Sequence, residues 1–413
     1  GTASSAKVVT SALMPCMTPK DTAKTITLLK NKPLLRFISN PIEKITSNED
    51  AQVSIIWQQK LPGRNMRIST LMSYSGGFKE AVAEIKALEK AGLDVVWVPE
   101  AYSFDAPTAM GYLAAETERV IIASGILPIY TRTPSLLAMT AAGLDYLSDG
   151  RAMLGLGASG PQVIEGFHGV PYNAPVARTR EVIEICRKVW KREKVQHLGK
   201  HYQIPLPQNE GTGLGKPLKL INHPVKDDIP IAIASLGPTS VAATAELADA
   251  WLPAFYTPEA ARAVWGESLD QGNAKRDGGR APLDIFAGGS VAIGDGMEEL
   301  RERARPGAAL YIGGMGARSK NFYNDIFSKS GYVDEAKIIQ DLYLAGDKKA
   351  AEEAIPADYL AKSSLIGPES FVKERLYALR ESGVTSLNVN FAGQSAEERV
   401  AQCEKLRNLV DSM

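Results

Sequence analysis

Cysteine is scarce in this chain: Cys16, Cys186 and Cys403 are all it has in 413 residues, and no two form a C-x-x-C pair. That excludes a disulfide framework and a thiolate zinc site, and it suits a reducing compartment, so a cytoplasmic location is expected. The four histidines (His168, His197, His201, His223) never fall at H-E-x-x-H spacing, and no metal is expected. Excess charge is also missing. With 47 basic and 47 acidic side chains, neither nucleic acid nor membrane is expected as a partner. No apolar run approaches the roughly 18 residues of a membrane span. What the chain does have is 45% hydrophobic residues, enough for a large core, which α/β barrels can build as one unit of 250 residues or more.

Residues 1–65 stand apart. They hold nine Lys/Arg against four acidic residues, which leaves 38 basic and 43 acidic residues beyond them. They show neither strand–helix alternation nor the apolar region of a secretory signal. We read them as an N-terminal extension, either an artefact or a misplaced start, with an organelle transit peptide as the less favoured origin. The folded domain then spans 66–413.

From Met66 onward, apolar runs alternate with amphipathic helices. Strands are expected at 66–73, 93–98, 120–126, 151–157, 229–234, 251–255, 285–291 and 386–391. Helices are expected at 77–91, 106–117, 134–147, 178–192, 238–248, 258–270, 297–304 and 395–411. Eight strands alternating with eight helices point to a (β/α)8 TIM barrel, with a doubly wound sheet plus appended domain as the alternative. The second, third and fifth strands are apolar almost throughout, so both of their faces are covered. Two stretches, 195–228 and 305–365, break the rhythm and read as insertions at the barrel rim.

Gly155, Gly157 and Gly160 match G-x-G-x-x-G, with Pro161 behind them at a first helical position. A dinucleotide turn of that kind needs an acidic residue ending the next strand about 20 residues on. Residues 177–190 form an amphipathic helix instead, so the motif is read as a strand end in a barrel. In a barrel, function gathers at the carboxyl ends of the strands. Those ends are Ser73-Tyr74-Ser75, Glu100 to Tyr102, Gly125-Ile126, Gly157-Ala158-Ser159 and Ser235 to Thr239. Gly237-Pro238-Thr239-Ser240 opens a helix, where free N–H groups and the helix dipole suit a phosphate. The plain alternative is an N-cap by Thr239 or Ser240. Glu100 is the only carboxylate directly at an early strand end, fit for cofactor contact, proton transfer or an ion pair. Tyr102 and Asp105 follow it, and either could cap the next helix. His168 reads as a packed loop histidine. The stretch 211–216 imitates a phosphate loop, but Pro217 and Glu210 break the pattern, and a flap is expected there.

Three segments carry a family resemblance: SGILPIYTRTP at 124–134, LSDGRAMLGLG at 147–157 and IAIASLGPTSVAATAELADAW at 231–251. Together they make the chain similar to the bacterial-luciferase-like superfamily, in the branch that uses the deazaflavin coenzyme F420 and includes methylene-tetrahydromethanopterin reductase. The resemblance covers Met66 to the end. It implies a non-prolyl cis peptide at Gly125-Ile126, a bulge behind the deazaflavin ring. It also implies a turn beside the cofactor at Gly157, Ala158, Ser159 and Gly160, and a phosphate-binding helix start at Gly237, Pro238 and Thr239. Glu100 falls where relatives place an acidic residue before a histidine, but here Ala101 replaces that histidine, so Glu100 or Tyr102 would have to handle a proton.

The function implied is hydride transfer between C5 of F420 and an organic substrate, the cofactor carrying the chemistry and the protein the positioning. An FMN-dependent monooxygenase of the same fold is the alternative. A cofactor-binding protein without turnover is a third reading, suggested by the missing histidine. The expected partners are a small-molecule substrate and a second copy of the chain in a homodimer.

Overall fold

The computed structural model describes residues 66–73, 77–316, 318–319 and 321–413. The expectations for 1–65 and for Tyr74 and Ser75 lie outside the described residues. Eight strands run in order: β1 (Arg67–Leu71), β2 (Val95–Val98), β3 (Ile121–Ser124), β4 (Ala152–Gly157), β5 (Ile231–Ala234), β6 (Ala250–Leu252), β7 (Asp284–Ala287) and β8 (Ser386–Phe391). Each pairs in parallel with the next. The circle closes where β8 pairs β1, with Arg67 opposite Ser386 and Thr70 opposite Val389. That closure makes a TIM barrel and rules out the doubly wound sheet. The helices outside it are α1 (Phe78–Lys90), α2 (Ala106–Glu116), α3 (Pro134–Leu147), α4 (Pro175–Trp190), α5 (Pro238–Leu247), α6 (Pro258–Asn273), α7 (Glu369–Glu381) and α8 (Ala396–Asp411).

Strand alternation explains why the apolar runs are unbroken. Val95 and Trp97 of β2 enter a small interior cluster with Ala123, Met153, Ala232 and Phe286. Val96 and Val98, the other parity, join the larger shell under the helices with Val82, Ile85 and Leu88 of α1. Inside the barrel, alanines on neighbouring strands make room for two large rings: Trp97 meets Phe286 edge-on at 5.0 Å. Each such side chain contributes about 1.5–3 kcal/mol by leaving water. Gly155 lets β3 and β4 approach closely: a Cβ there would lie 1.7 Å from the Ser124 carbonyl oxygen. The Ser124 hydroxyl donates to the Gly155 carbonyl and accepts from its N–H, both at 2.8 Å.

Three expectations need correction. The strand expected at 285–291 breaks at Gly288-Gly289, where Cβ atoms would lie 2.6 Å from the Asn388 oxygen and 2.1 Å from the Ser363 oxygen. Beyond the break, Ser290–Ile293 pairs with the upper part of β8 on one side and with Leu365–Gly367 on the other. The helix expected at 297–304 is a 3₁₀ helix, Glu298–Ala304, that buries no side chain. The barrel's seventh helix is α7, which buries Val372, Leu376 and Leu379. Between them the 305–365 insertion folds around its own core of Ile312, Phe327, Ile339, Ile355 and Tyr359. The sixth strand also stops short of 255: it ends at Leu252, and Phe255, with a positive φ of 58°, lies outside extended backbone. In the 195–228 insertion His197–Leu198 pairs antiparallel with Gln203–Ile204. Among the described residues no helix is long and apolar enough to cross a membrane.

Candidate active site

The floor of the barrel mouth is set by β1 to β3. The Trp97 indole N–H donates to the Ser69 hydroxyl at 2.9 Å, which orients the ring. β3 ends at Gly125 and Ile126, joined by the cis peptide the resemblance implied. A Cβ on Gly125 would come 3.0 Å from the Trp97 Cβ, and one on Gly157 would come 2.9 Å from the Ile126 Cδ1. Gly125 thus lets the chain cross the Trp97 side chain, and Gly157 gives the Ile126 side chain its place. Leu127 and Pro128 pair with Leu156 and Gly157, tying the bulge to β4. Past Ala158, Ser159 has a φ of 58° and Gly160 precedes a one-turn helix, Pro161–Ile164.

At the end of β5 the N-cap reading does not hold. The N-cap position of α5 is Gly237, and no side chain accepts from the helix's first N–H groups. The Ser240 hydroxyl donates to the Gly237 carbonyl at 2.8 Å rather than accepting. Thr239 also lines a cavity of about 210 Å³ that runs along α5 past Ala242 to Glu246, whose carboxylate pairs with Arg180. With no side-chain cap, the helix start is bare among the described residues, with unmet N–H donors and a positive dipole end. Phe322 of the insertion covers it from one side: its ring would sit 3.2 Å from a Cβ on Gly237.

Glu100 stands at the end of β2 as expected, and both of its oxygens are occupied. Arg132 donates to them at 2.6 and 2.8 Å, and the Ala106 N–H donates at 2.9 Å. The two side chains are only 9% and 11% exposed. Arg132 also reaches Asp105. Asp105 caps α2 through the Thr108 N–H at 3.1 Å. Against the upward push of burial, hydrogen bonds from Thr108 and the charge of Arg132 hold its carboxyl below the ordinary range. This geometry is that of a barrel-mouth ion pair. Tyr102 lies outside it, 69% exposed, with its ring 6.2 Å from that of Phe167. His168 is half-buried and edge-on to Phe167 at 5.1 Å, a packing role.

Aromatic side chains flank the mouth on both sides. Tyr130 and Tyr172 lie 5.2 Å apart beside β3 and β4. The Tyr130 hydroxyl donates to the Asn173 carbonyl at 2.7 Å, and burial pushes it up to about 12. Across the mouth, Phe255 meets Tyr311 at 5.9 Å and Tyr323 at 5.5 Å. Burial pushes the Tyr323 phenol up to about 12 as well. Both phenols stay neutral at ordinary pH and act as walls.

Residues 65–386 match the profile of the Luciferase-like monooxygenase family. The chain belongs to that family. Among its luciferase-like relatives, a Mycobacterium tuberculosis protein carrying the name coenzyme F420-dependent oxidoreductase is 40% identical over 318 residues, 76% of this chain and 91% of that one. A 5,10-methylenetetrahydromethanopterin reductase of Archaeoglobus fulgidus is 25% identical over 73% of this chain and 86% of its own. The luciferase-like barrel also superposes on the coenzyme F420-dependent tetrahydromethanopterin reductase of Methanopyrus kandleri, with a TM-score of 0.68. That match has 19% identity and covers 82% of this chain and 97% of the other, a likeness of fold.

The structure brings Gly125, Ile126 and Gly157 together and places Glu100 at the next strand end. Sequence reasoning missed Arg132, Tyr130 and the Phe255–Tyr311–Tyr323 wall. Arg132 sits inside the motif that carried the resemblance, yet its partner Glu100 is 32 positions away, a pairing no local spacing reveals.

Proposed function

We propose that this luciferase-like protein is a coenzyme F420-dependent oxidoreductase that moves a hydride between C5 of the deazaflavin and a small organic substrate. The observation that carries the reading is the 40% identity, over 91% of its length, to the mycobacterial protein named for F420. The bare start of α5 fits the cofactor: an anionic phosphate would satisfy N–H donors that no side chain caps. Gly125 and Ile126 would back the ring, the backbone of Gly157, Ala158, Ser159 and Gly160 would run along its edge, and Gly237, Pro238 and Thr239 would hold the phosphate. When bound, the deazaflavin supplies the hydride donor or acceptor. The chain's own residues position it and keep water away. Phe255, Tyr311 and Tyr323 wall one side of the mouth, and Tyr130 the other. Glu100, filled by three donors, is assigned to positioning Arg132 and the first turn of α2. Tyr102, open to solvent at the rim, is left as the group to carry a proton.

The test is a parallel titration with F420 and FMN, followed spectroscopically, with oxygen uptake recorded after reduction. Tighter binding of F420, and reoxidation of the reduced cofactor by an organic acceptor without oxygen uptake, are expected. Preferential FMN binding with oxygen consumption refutes the reading in favour of a monooxygenase. F420 binding with no turnover towards any acceptor leaves a cofactor-binding protein.

A further inference from the structure

Beside the barrel mouth lies a second cavity, of about 320 Å³, whose lining includes Tyr130, Arg132, Asn173, Arg178 and Tyr202 and no carboxylate. Its two cations differ. Arg132 is committed to Glu100 and Asp105. Arg178, in the first turn of α4, has no carboxylate of the described residues within ion-pairing distance. Its guanidinium lies between the rings of Tyr130 and Tyr202, 5.8 and 5.3 Å from their centroids. Its Nε donates to the Asn173 side-chain oxygen at 2.9 Å. The two terminal nitrogens have no acceptor among the described residues, although a guanidinium carries five N–H donors in a fixed fork. Two rings and one hydrogen bond thus fix the plane of a fork whose open edge is unused. The start of α4 adds to the positive field, since Ala174 at its N-cap offers no side-chain acceptor.

We propose that this cavity is an anion subsite beside the cofactor site, in which Arg178 takes a carboxylate or phosphate oxygen pair in bidentate fashion. The pre-set fork matches the geometry of such groups. The anion itself does not depend on the function proposed above; only the identity of its carrier does. Two carriers share this chemistry, the anionic side chain of the cofactor and an acid group on the substrate.

The experiment uses the full chain, with Arg178→Met and Arg178→Lys as variants. Glutarate and inorganic phosphate are titrated calorimetrically, first alone and then with F420 saturating. Wild type should bind at least one of them, Arg178→Met should bind it roughly 10- to 100-fold more weakly, and Arg178→Lys should fall between. Should Arg178→Met fail to fold, protection of Arg178 from phenylglyoxal by glutarate in the wild type, mapped by mass spectrometry, replaces it. The source is decided by comparing F420 with its deazaflavin core lacking phosphate and side chain. If Arg178→Met weakens F420 alone, the cofactor carries the anion. If it leaves F420 unchanged but loses glutarate from the F420-saturated protein, the substrate does. Equal anion affinity in wild type and Arg178→Met, absence of anion binding, or modification of Arg178 regardless of glutarate overturns the proposal. Failure of wild type to bind F420 refutes the cofactor reading and leaves the glutarate result standing.

Discussion

Replacing Glu100 by glutamine separates a structural role from a chemical one. The carboxylate accepts three hydrogen bonds, two from Arg132 and one from the Ala106 N–H. Glutamine keeps one oxygen and puts an amide N–H₂ where the other stood, so at least one donor faces another donor. A hydrogen bond to a charged group contributes about 1.5–3 kcal/mol. Asp105 stays on Arg132 and offsets part of the loss. A net destabilisation of about 2 kcal/mol follows, which lowers Tm by roughly 3 °C, because an unfolding entropy of about 2.1 cal/mol/K per residue makes each kcal/mol a small shift in a barrel of this size. The assays are thermal unfolding and reoxidation of reduced F420 by a soluble quinone such as menadione. Turnover at saturation should stay within about threefold of wild type, because the role assigned to Glu100 is to hold Arg132. A general acid or base would instead lose roughly 10²–10⁴-fold. Such a loss with an unchanged Tm would refute the positioning role. Unchanged Tm and unchanged turnover would refute the claim that the pair matters at all.

Four further outcomes are expected. Gly237→Asp places a carboxylate at the bare start of α5, so F420 affinity should fall at least tenfold while that of the core lacking phosphate holds; equal losses would locate the phosphate elsewhere. Gly155→Ala drives a Cβ to within 1.7 Å of the Ser124 oxygen, a backbone atom that cannot swing aside, so it should exceed the usual 1–3 kcal/mol of overpacking and abolish soluble expression or lower Tm sharply; a normal melt would contradict the close approach of β3 and β4. Burial pushes the Cys186 thiol from 9.0 up to about 12, so its unfolded form loses the proton first as pH rises. The stability advantage of wild type over Cys186→Ala, read in denaturant melts, should therefore be constant below pH 9 and shrink by about 1.4 kcal/mol per unit above it; a flat difference to pH 11 would contradict that burial. Finally, we propose that α3 pairs with a second copy of the chain: Leu136, Met139, Tyr146 and Leu147 are 45–65% exposed, and its one charged residue, Asp145, is fully buried. Light scattering should give twice 44.5 kDa and Met139→Glu should halve it; a monomeric wild type would end the idea.

The barrel was legible because its strands bury both faces. A run such as Val95–Val98, buried at every position, leaves little room for another reading. The seventh helix was not legible, for the opposite reason. Glu298–Ala304 has helix-forming residues and no apolar stripe, whereas Glu369–Glu381 has the stripe but follows an insertion with helices of its own. Composition suggested one, and packing chose the other. In the site, glycine spacing marked the end of β4, but the protein contacts of those glycines come from distant positions. Gly155 admits the neighbouring strand at Ser124 and Gly157 admits the Ile126 side chain. The partner of Glu100 and the rings around Arg178 depend on which loops meet above the barrel, and that is decided by closure of the whole sheet.

The break at Gly288-Gly289 has a consequence for what can be exchanged. Because Ser290–Ile293 and Leu365–Gly367 are neighbours in one short parallel ladder, the chain leaves past Ile293 and returns at Leu365, which lies opposite Val291, so the two junctions are two residues and one strand spacing apart, about 8 Å. The insertion has a core of its own, Phe327 and Ile339 among it. It is a cassette plugged into a two-pronged socket: the socket stays with the barrel, and a cassette of another length or lining could be seated there with no change in the ends it must join. One wall of the mouth, Tyr311 and Tyr323, travels with that cassette, while Phe255 and the candidate cofactor contacts stay behind.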